Sequence, residues 1–582
     1  AAARQWRVPV GELTCDQAII YHRASGRQTD FGSLVEVAKT LPMPEKLEFV
    51  PPSQYRYRGK VNNRLEAPDK VNGKVKYGID TAVPDALAAA MVYCPQFGGK
   101  VKRYDAAKVL KMKGVLDVVE TENGIGVVAT HHWYAQRGAD ALKVEWEPGE
   151  FGKVSSESIA REQREIIEKA EAESGYTNKE GALIAEYTAP FMAHATMEPM
   201  NATVSVTGDR VDVWASSQAP DVVGATAAHG AGLANEQAVV HSSFVGGGFG
   251  RRNIADPHVR DAAQLSKHMG KPVKLILSRE NDLRHTWYRP AVTCRMYADL
   301  DGDKVTTWRY RLCTPSLNYS LMHAFRSVLF PHSLPKSELA KIAEGAMQDD
   351  QENIESALET YYQLGDVKVD QNLKNNGIPV FFWRSVGNSF NGFFMESFID
   401  ELAHKAGVDP YQFRMQHLKP DSPPARVLKV VAEKADWGVN QPGRFKGIAF
   451  EYIKHAYVAM VAEVSVENDR IRVHRVVCAL DAGITINPDI VNTVIESCVI
   501  WGMSACLHDS ITIKDGAVQQ SNFHDFSVVR MNEAPVIEVY QVESDRDPVG
   551  VGECAVGPVA PAIANAVFQA TGKRLRSLPL KV

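Results

Sequence analysis

Cysteine is scarce and scattered: eight residues in 582, at positions 15, 94, 294, 313, 478, 498, 506 and 554, with no Cys-x-x-Cys pair among them. That spacing excludes the compact thiolate sets that hold an iron–sulfur cluster or a structural zinc ion on one chain. Excess charge of either sign is also missing, since 65 Lys and Arg stand against 70 Asp and Glu for a net −5. Such a balance gives no reason to expect nucleic acid or an anionic membrane as a partner. No uninterrupted apolar run reaches the roughly 18 residues of a spanning helix, so the chain reads as soluble or peripherally attached. Gly-x-Ser-x-Gly elbows, Gly-x4-Gly-Lys phosphate loops and His-Glu-x-x-His helices are absent, which removes serine-hydrolase, P-loop and zincin chemistry. The first residue is Ala1, with no charged-then-apolar leader ahead of it. A leader or a longer N-terminal piece has then been removed, or the numbering begins inside a precursor.

What is present is organised around one stretch. A strand-like run at 238–245 enters Gly246-Gly-Gly-Phe-Gly250, followed by Arg251-Arg252-Asn253, and Asp256-Pro257 reads as the N-cap and first residue of a helix to about 268. Glycines strip the turn of side chains and bare its amides, which can then donate to anionic or oxo groups. The alternative is a turn that only lets two backbones pack closely.

At about 100–200 residues per domain the length implies three or four domains. Segment 1–56 carries no chemistry, and 57–147 reads as a compact α+β unit with strands at 74–78, 87–93, 114–120, 125–130 and 142–146. A charged helical connector spans 148–181, and two larger units follow at 182–429 and 430–582. Strand, Gly/Asp/Asn turn, strand signatures recur at 202–214, 294–312 and 462–477, hinting at duplicated halves that face each other. The acidic stretch 337–364 reads as a solvated surface helix, and 393–405 as an amphipathic helix.

Four groups could carry chemistry. Glu553, beside Gly552 and shortly before a helix start, is the most suggestive acid, because the loop lets a bulky ligand reach its carboxylate; its other reading is a helix cap. Gln218, ahead of a helix-starting Pro220, can donate to an oxo or phosphate group or serve as a plain cap. Arg384 beside Trp383 is either an anion holder or a structural ion pair. His194 and Glu198 stand four apart, yet Pro199 and the missing second histidine argue against a metal site there.

Together, Gly246-Gly-Gly-Phe-Gly-Arg-Arg252, Ser278-Arg-Glu-Asn-Asp-Leu-Arg284 with Tyr288-Arg-Pro290, Trp383-Arg-Ser-Val-Gly387, Glu396-Ser-Phe-Ile-Asp-Glu-Leu-Ala403, Gln519-Gln-Ser-Asn-Phe-His-Asp525 and Gly550-Val-Gly-Glu553 through Leu578-Pro-Leu580 give the chain a family likeness. It resembles the molybdopterin-binding large subunits of the xanthine dehydrogenase and aldehyde oxidase superfamily, in particular the isoquinoline 1-oxidoreductase β-subunit branch with its bacterial aldehyde dehydrogenases. The resemblance implies an α+β fold: a hammerhead-like domain at 57–147 and two elongated molybdopterin-binding domains with mixed sheets. It implies a molybdenum–molybdopterin cofactor in the cytosine dinucleotide form, and no iron–sulfur cluster on this chain. Gln218, Gly247, Gly248, Phe249, Gly250, Arg384 and Gly552 match cofactor-binding positions, and Glu553 matches the catalytic glutamate; no side chain is expected to ligate the metal. The implied activity is hydroxylation of an aldehyde or N-heteroaromatic carbon with water as oxygen source, Glu553 serving as base. Electrons would leave through the pterin to a 2Fe–2S small subunit, with a cytochrome as a further acceptor.

Departures accompany the match. The Gly-Gln-Gly motif of relatives is absent and is expected on a removed N-terminal portion or a separate chain. Val494, Ser497-Cys498, Lys454-His455 and Cys554 stand where relatives carry glutamine, a Gly pair, Phe-Gly and proline. Lys454 is read as a charge facing a phosphate or as solvated. Asn253 replaces a purine-binding glutamate, which disfavours purine substrates. These departures motivate the competing reading, a non-catalytic scaffold subunit. Periplasm, membrane surface and cytoplasm remain equally open.

Overall fold

The computed structural model describes residues 1–582 apart from 48, 175–179, 255, 331–333, 348–349 and 440. Ala1–Arg58 and Gly59–Val582 form separate units. The first contains an antiparallel meander of Leu13–Asp16, Ile19–His22 and Arg27–Asp30. Its buried His22 ring bonds Glu12 at 2.8 Å and Ser25 at 2.6 Å.

In the second unit a seven-stranded mixed sheet runs Ala238–Ser242, Arg210–Ala215, Asn201–Thr207, Val273–Ile276, Leu87–Tyr93, Gly124–Ala129, Val115–Glu120. Successive residues of its central strands serve opposite faces, as strand geometry requires. Ala89, Met91 and Val128 pack against Leu265 of helix Pro257–Met269, whereas Ala90, Ile125, Val127 and Ala129 pack against Ala135 and Ala139 of helix His132–Ala141. Both faces are thus covered, and Gly124–Ala129 is buried throughout.

Two four-stranded sheets share one topology. In the first, Leu183–Ala189 pairs antiparallel with Val292–Asp301, which forms a hairpin with Lys304–Thr314, and Asp366–Leu373 lies parallel to the latter. In the second, Phe445–Ile453, Ala456–Glu467, Arg470–Asp481 and Val536–Gln541 repeat that order and those senses. Each hairpin carries one register shift, at Asp299/Leu300 and at Glu463/Val464. Each sheet leads into a helix, Asn388–Ala406 and Val559–Thr571, and both helices and both sheets contribute to a single core cluster. Recurrence of the hairpins at 294–312 and 462–477 therefore marks two like-built sheets; the hairpin at 202–214 belongs to the seven-stranded sheet instead.

Several expectations need correction. Residues 74–78 form no strand; only Tyr77 makes an isolated bridge, to Phe244. Segment 57–147 does not close on itself, because three of its strands join a sheet with Asn201–Thr207 and its neighbours. Helix Ser156–Glu173 is no free connector, since Ile159, Gln163 and Ile167 are buried; part of that segment, 175–179, lies outside the described residues. The acidic stretch near 337–364 supplies helix Lys336–Ala346 and the short 3-10 turn Gln351–Ile354, whose Asn353 and Ile354 are buried rather than solvated. Helix Asn388–Ala406 is buried on all sides from 388 to 403. Its acids are satisfied inside: Glu396 by Arg414 at 2.8 Å, Asp400 by Arg574 at 2.6 Å, Glu401 by Arg576 at 2.9 Å. Helix Pro488–Leu507, with a hydropathy of 1.6 and 44% of it buried, is long and apolar enough to span a membrane by length and composition alone. The sequence had shown no such run because polar residues such as Asn492, Thr493 and Glu496 interrupt it.

Candidate active site

The glycine loop is held from beneath by Glu198. This buried carboxylate accepts from Gly246 N–H at 2.8 Å and Ile79 N–H at 2.9 Å, and pairs with Arg252 at 3.1 Å. Arg252 in turn donates to the Gly247 carbonyl at 2.7 Å. Arg251, fully buried, pairs with Asp256, which spends its side chain there instead of capping the following helix as expected. His194 is no metal ligand in this arrangement: its Nε2 lies 2.9 Å from the Phe382 carbonyl, and burial pushes its pKa down to about 3, leaving the ring neutral.

Glycine is required at Gly250 and favoured by close packing at Gly248. Gly250 sits at φ 104°, and a Cβ there would strike the Phe382 carbonyl oxygen. At Gly248 a Cβ would strike the Gln218 amide, whose Oε1 accepts from Gly250 N–H at 3.2 Å. Between them Phe249 adopts φ 56°, a left-handed conformation that side chains disfavour.

The loop meets residues 383–387 directly, since Arg384 N–H donates to the Phe249 carbonyl at 3.1 Å. The Arg384 side chain then bridges to the loop before the last helix: Nε donates to the Gly552 carbonyl at 2.7 Å, Nη1 to Ser497 Oγ at 3.0 Å, and Nη2 contacts Cys498 Sγ at 3.0 Å. Its guanidinium lies 5.8 Å from the Phe249 ring centroid. Among the described residues no carboxylate pairs with this buried cation. Ser497 and Cys498, departures from the family pattern, are thus its acceptors.

Glu553 does not cap the helix that follows. Its Oε1 accepts from Ser385 N–H at 2.9 Å, its main-chain carbonyl accepts from Ser385 Oγ at 2.6 Å, and its Oε2 pairs with Lys454 Nζ at 3.2 Å. Lys454 and His455 form the tight turn between Phe445–Ile453 and Ala456–Glu467, at φ 48° and 72°. Lys454 therefore faces the candidate base, an answer the sequence did not reach. Ser385 and Val386 also have positive φ, 75° and 44°. Such conformations cost about 1–3 kcal/mol each and persist where surrounding structure enforces them, often at functional sites.

An aromatic stack lines the same place. Phe249 stacks on Trp501 at 3.9 Å between centroids, Trp501 on Trp383 at 5.6 Å, and the Arg289 guanidinium lies 5.7 Å from the Trp383 ring. Both indole N–H groups are buried without a hydrogen-bond partner. Burial lowers the Arg289 pKa to about 9 against the opposing charge of Asp509.

Gln218, Gly247, Gly248, Phe249, Gly250, Arg384, Gly552 and Glu553 thus share a connected set of contacts running from the glycine loop through residues 383–385 to 552–553. Sequence reading missed Ser385 and Trp501, whose roles depend on partners more than 100 residues away. The spacing of Trp383-Arg384-Ser385 was the one available signal.

Unpaired buried donors, a cation without a carboxylate and a side-chain-free loop are features that can receive a large polar, anionic group. Residues 157–321 and 396–535 each match the molybdopterin cofactor-binding domain. The chain is 29% identical to isoquinoline 1-oxidoreductase subunit beta of Brevundimonas diminuta, covering 100% of this chain and 79% of that one. It is likewise 29% identical to a membrane-bound aldehyde dehydrogenase (pyrroloquinoline-quinone) of Gluconacetobacter polyoxogenes, over 97% of this chain and 78% of that one. Quinoline 2-oxidoreductase from Pseudomonas putida 86 superposes with a TM-score of 0.73 at 14% identity, covering 90% of this chain and 97% of that one. The chain belongs to the molybdopterin-binding xanthine dehydrogenase and aldehyde oxidase family, and is a molybdenum-dependent oxidoreductase subunit.

Proposed function

We propose that this subunit hydroxylates an aldehyde or an N-heteroaromatic carbon, with water as the oxygen source and Glu553 as general base. The molybdenum–molybdopterin cofactor supplies the oxygen transfer and accepts the two electrons; the cytosine dinucleotide form is the one we expect. Gly247 and Gly248 would offer main-chain N–H groups to it, Gln218, Phe249 and Gly250 would lie beside it, and Arg384 fixes the Gly552-Glu553 loop against the glycine loop. No side chain here is assigned as a metal ligand.

One observation carries the reading: Glu553 is presented by Ser385 N–H and Lys454, one residue along from the Arg384 amide that holds Phe249. A carboxylate so held can accept a proton on the side its partners leave free. Electrons then pass to a 2Fe–2S small subunit and onward to an acceptor such as a cytochrome.

Glu553→Gln keeps the Ser385 contact and removes the base, so turnover is expected to fall by about 10²–10⁴-fold while molybdenum content persists. Undiminished turnover sinks the assignment. A scaffold role is the second reading, favoured by the Lys454 pairing that occupies one Glu553 oxygen. Near-zero molybdenum in the purified native complex would support it.

A further inference from the structure

A base that accepts a proton each cycle must be emptied each cycle, and a second carboxyl group, Glu355, lines the same cavity as the Lys454 that pairs with Glu553. Glu355 belongs to the stretch after the 3-10 turn Gln351–Ile354. Its Oε2 accepts from Asn388 Nδ2 at 3.0 Å and its main-chain carbonyl from Asn391 Nδ2 at 2.7 Å, fixing it against the start of the buried helix. Glu355 and Lys454 line one cavity of about 350 Å³ together with Glu352, Glu359, Tyr452 and His455. Ser356 Oγ continues the polar chain inward to Asn388 and Glu451.

We propose that Lys454 and Glu355 are the proton exit for Glu553: the proton passes from the Glu553 carboxyl through the Lys454 ammonium and water in the shared cavity to the Glu355 carboxylate, then to solvent. Lys454 releases one hydrogen as it accepts another and ends with its charge unchanged; Glu553 regains its anionic form, and nothing is oxidised or reduced. Glu355 is a positioning residue acting through Glu553, so the proposal rests on the base assignment above.

Electrostatics agree with the geometry. Burial is the main cause that pushes Glu355 up to about 7; Lys454 opposes it, and the charges of Glu553 and Glu352 reinforce it. Glu451, buried and itself held well above the carboxylate range, senses Glu355 in return. A proton acceptor titrating near neutrality can both load and unload at working pH.

The test uses the intact complex with Glu355→Gln, Glu355→Asp and Lys454→Met. In the wild type kcat should fall as pH drops below about 7, because protonated Glu355 cannot accept. Glu355→Gln should flatten that limb and lower kcat by about tenfold at higher pH with KM unchanged, and Glu355→Asp should restore it. Lys454→Met should flatten that limb as well, because it cuts the path between Glu553 and Glu355, and should raise the pH at which the Glu355 carboxyl itself titrates. Infrared difference spectra against pH read the carboxyl without turnover: a C=O band titrating near 7 should vanish in Glu355→Gln and persist, titrating lower, in Glu553→Gln. A band that survives Glu355→Gln, or a kcat profile that does not move, overturns the proposal. A Glu553→Gln enzyme that still turns over overturns the base assignment instead, and the infrared band tells the two failures apart.

Discussion

Replacing Arg384 by Met isolates what the guanidinium does. Arg384 makes three side-chain hydrogen bonds, to Gly552 O, Ser497 Oγ and Cys498 Sγ, and shields one face of Phe249. Hydrogen bonds from a charged donor contribute about 1.5–3 kcal/mol each, but the buried cation has no carboxylate beside it and its desolvation offsets most of that gain. Net destabilisation should therefore be only about 1–3 kcal/mol. Function should suffer far more, because Arg384, together with Ser385 Oγ, ties the Gly552-Glu553 loop to the residues that hold Phe249. A shift of about 1 Å in a positioned group costs on the order of 10²-fold in rate. Turnover per bound molybdenum, beside thermal unfolding of the holoenzyme, separates the two effects. Turnover within about threefold of wild type at full metal content would refute the clamp, since the loop would then hold its place unaided. Arg384→Lys should behave like the Met variant in turnover, because an ammonium cannot reach three acceptors at fixed angles.

Gly250→Ala should block cofactor loading while the rest of the fold survives: the left-handed φ of 104° costs about 1–3 kcal/mol for an alanine, and its Cβ would meet the Phe382 carbonyl. Molybdenum content below a tenth of wild type with native circular dichroism is the expected result, and normal loading would contradict it. Glu396→Gln removes the nearest carboxylate of the buried Arg414, leaving it Asp400 at 3.9 Å, and should destabilise the fold by about 3–5 kcal/mol, read by denaturant unfolding of the intact chain. Unchanged stability there would mean that Tyr362 and the local carbonyls suffice for Arg414.

How much of this was legible in the sequence depended on the range of the interaction involved. Strands with alternating or continuous apolar runs, such as Leu87–Tyr93 and Gly124–Ala129, declare themselves through their own residues. The glycine loop also reads locally, because a chain avoids four glycines within five residues unless a turn and a close approach demand them. Helix Asn388–Ala406 misled for the opposite reason. Glu396, Asp400 and Glu401 look like a solvated stripe, yet their arginine partners at 414, 574 and 576 arrive from elsewhere and allow burial. Residues 74–78 alternate like a strand but find no neighbour beyond one bridge. Lys454 and Glu355 fell in the same blind spot: a charge in a turn and an acid in an acidic stretch reveal nothing until the opposing element is known.

The duplicated topology explains why the site forms where it does. Within each four-stranded sheet the connections after the first, third and fourth strands all leave from the same end, because the first, third and fourth strands run in one sense and the second against them. In the first half the connection after the first strand is the long segment 190–291 bearing Phe249, and in the second half it is the two-residue turn Lys454-His455. The third-strand connections carry Glu355 in one half and Ser497, Cys498 and Trp501 in the other. The fourth-strand connections carry Arg384 and Ser385 in one half and Gly552 and Glu553 in the other. Every group assigned here to the base, its clamp and its proton exit therefore comes from one of three equivalent pairs of loops. Two halves that face each other through those ends, with Ser385 bonded to Glu553 across the join, present a charged carboxylate to a glycine loop without either half needing to build the site alone. Long-range assembly of this kind also accounts for the strained backbone at Phe249 and Ser385. Ser385 is held by Glu553 and Phe249 is stacked on Trp501, both from the opposite half, so no local sequence preference could have set those two.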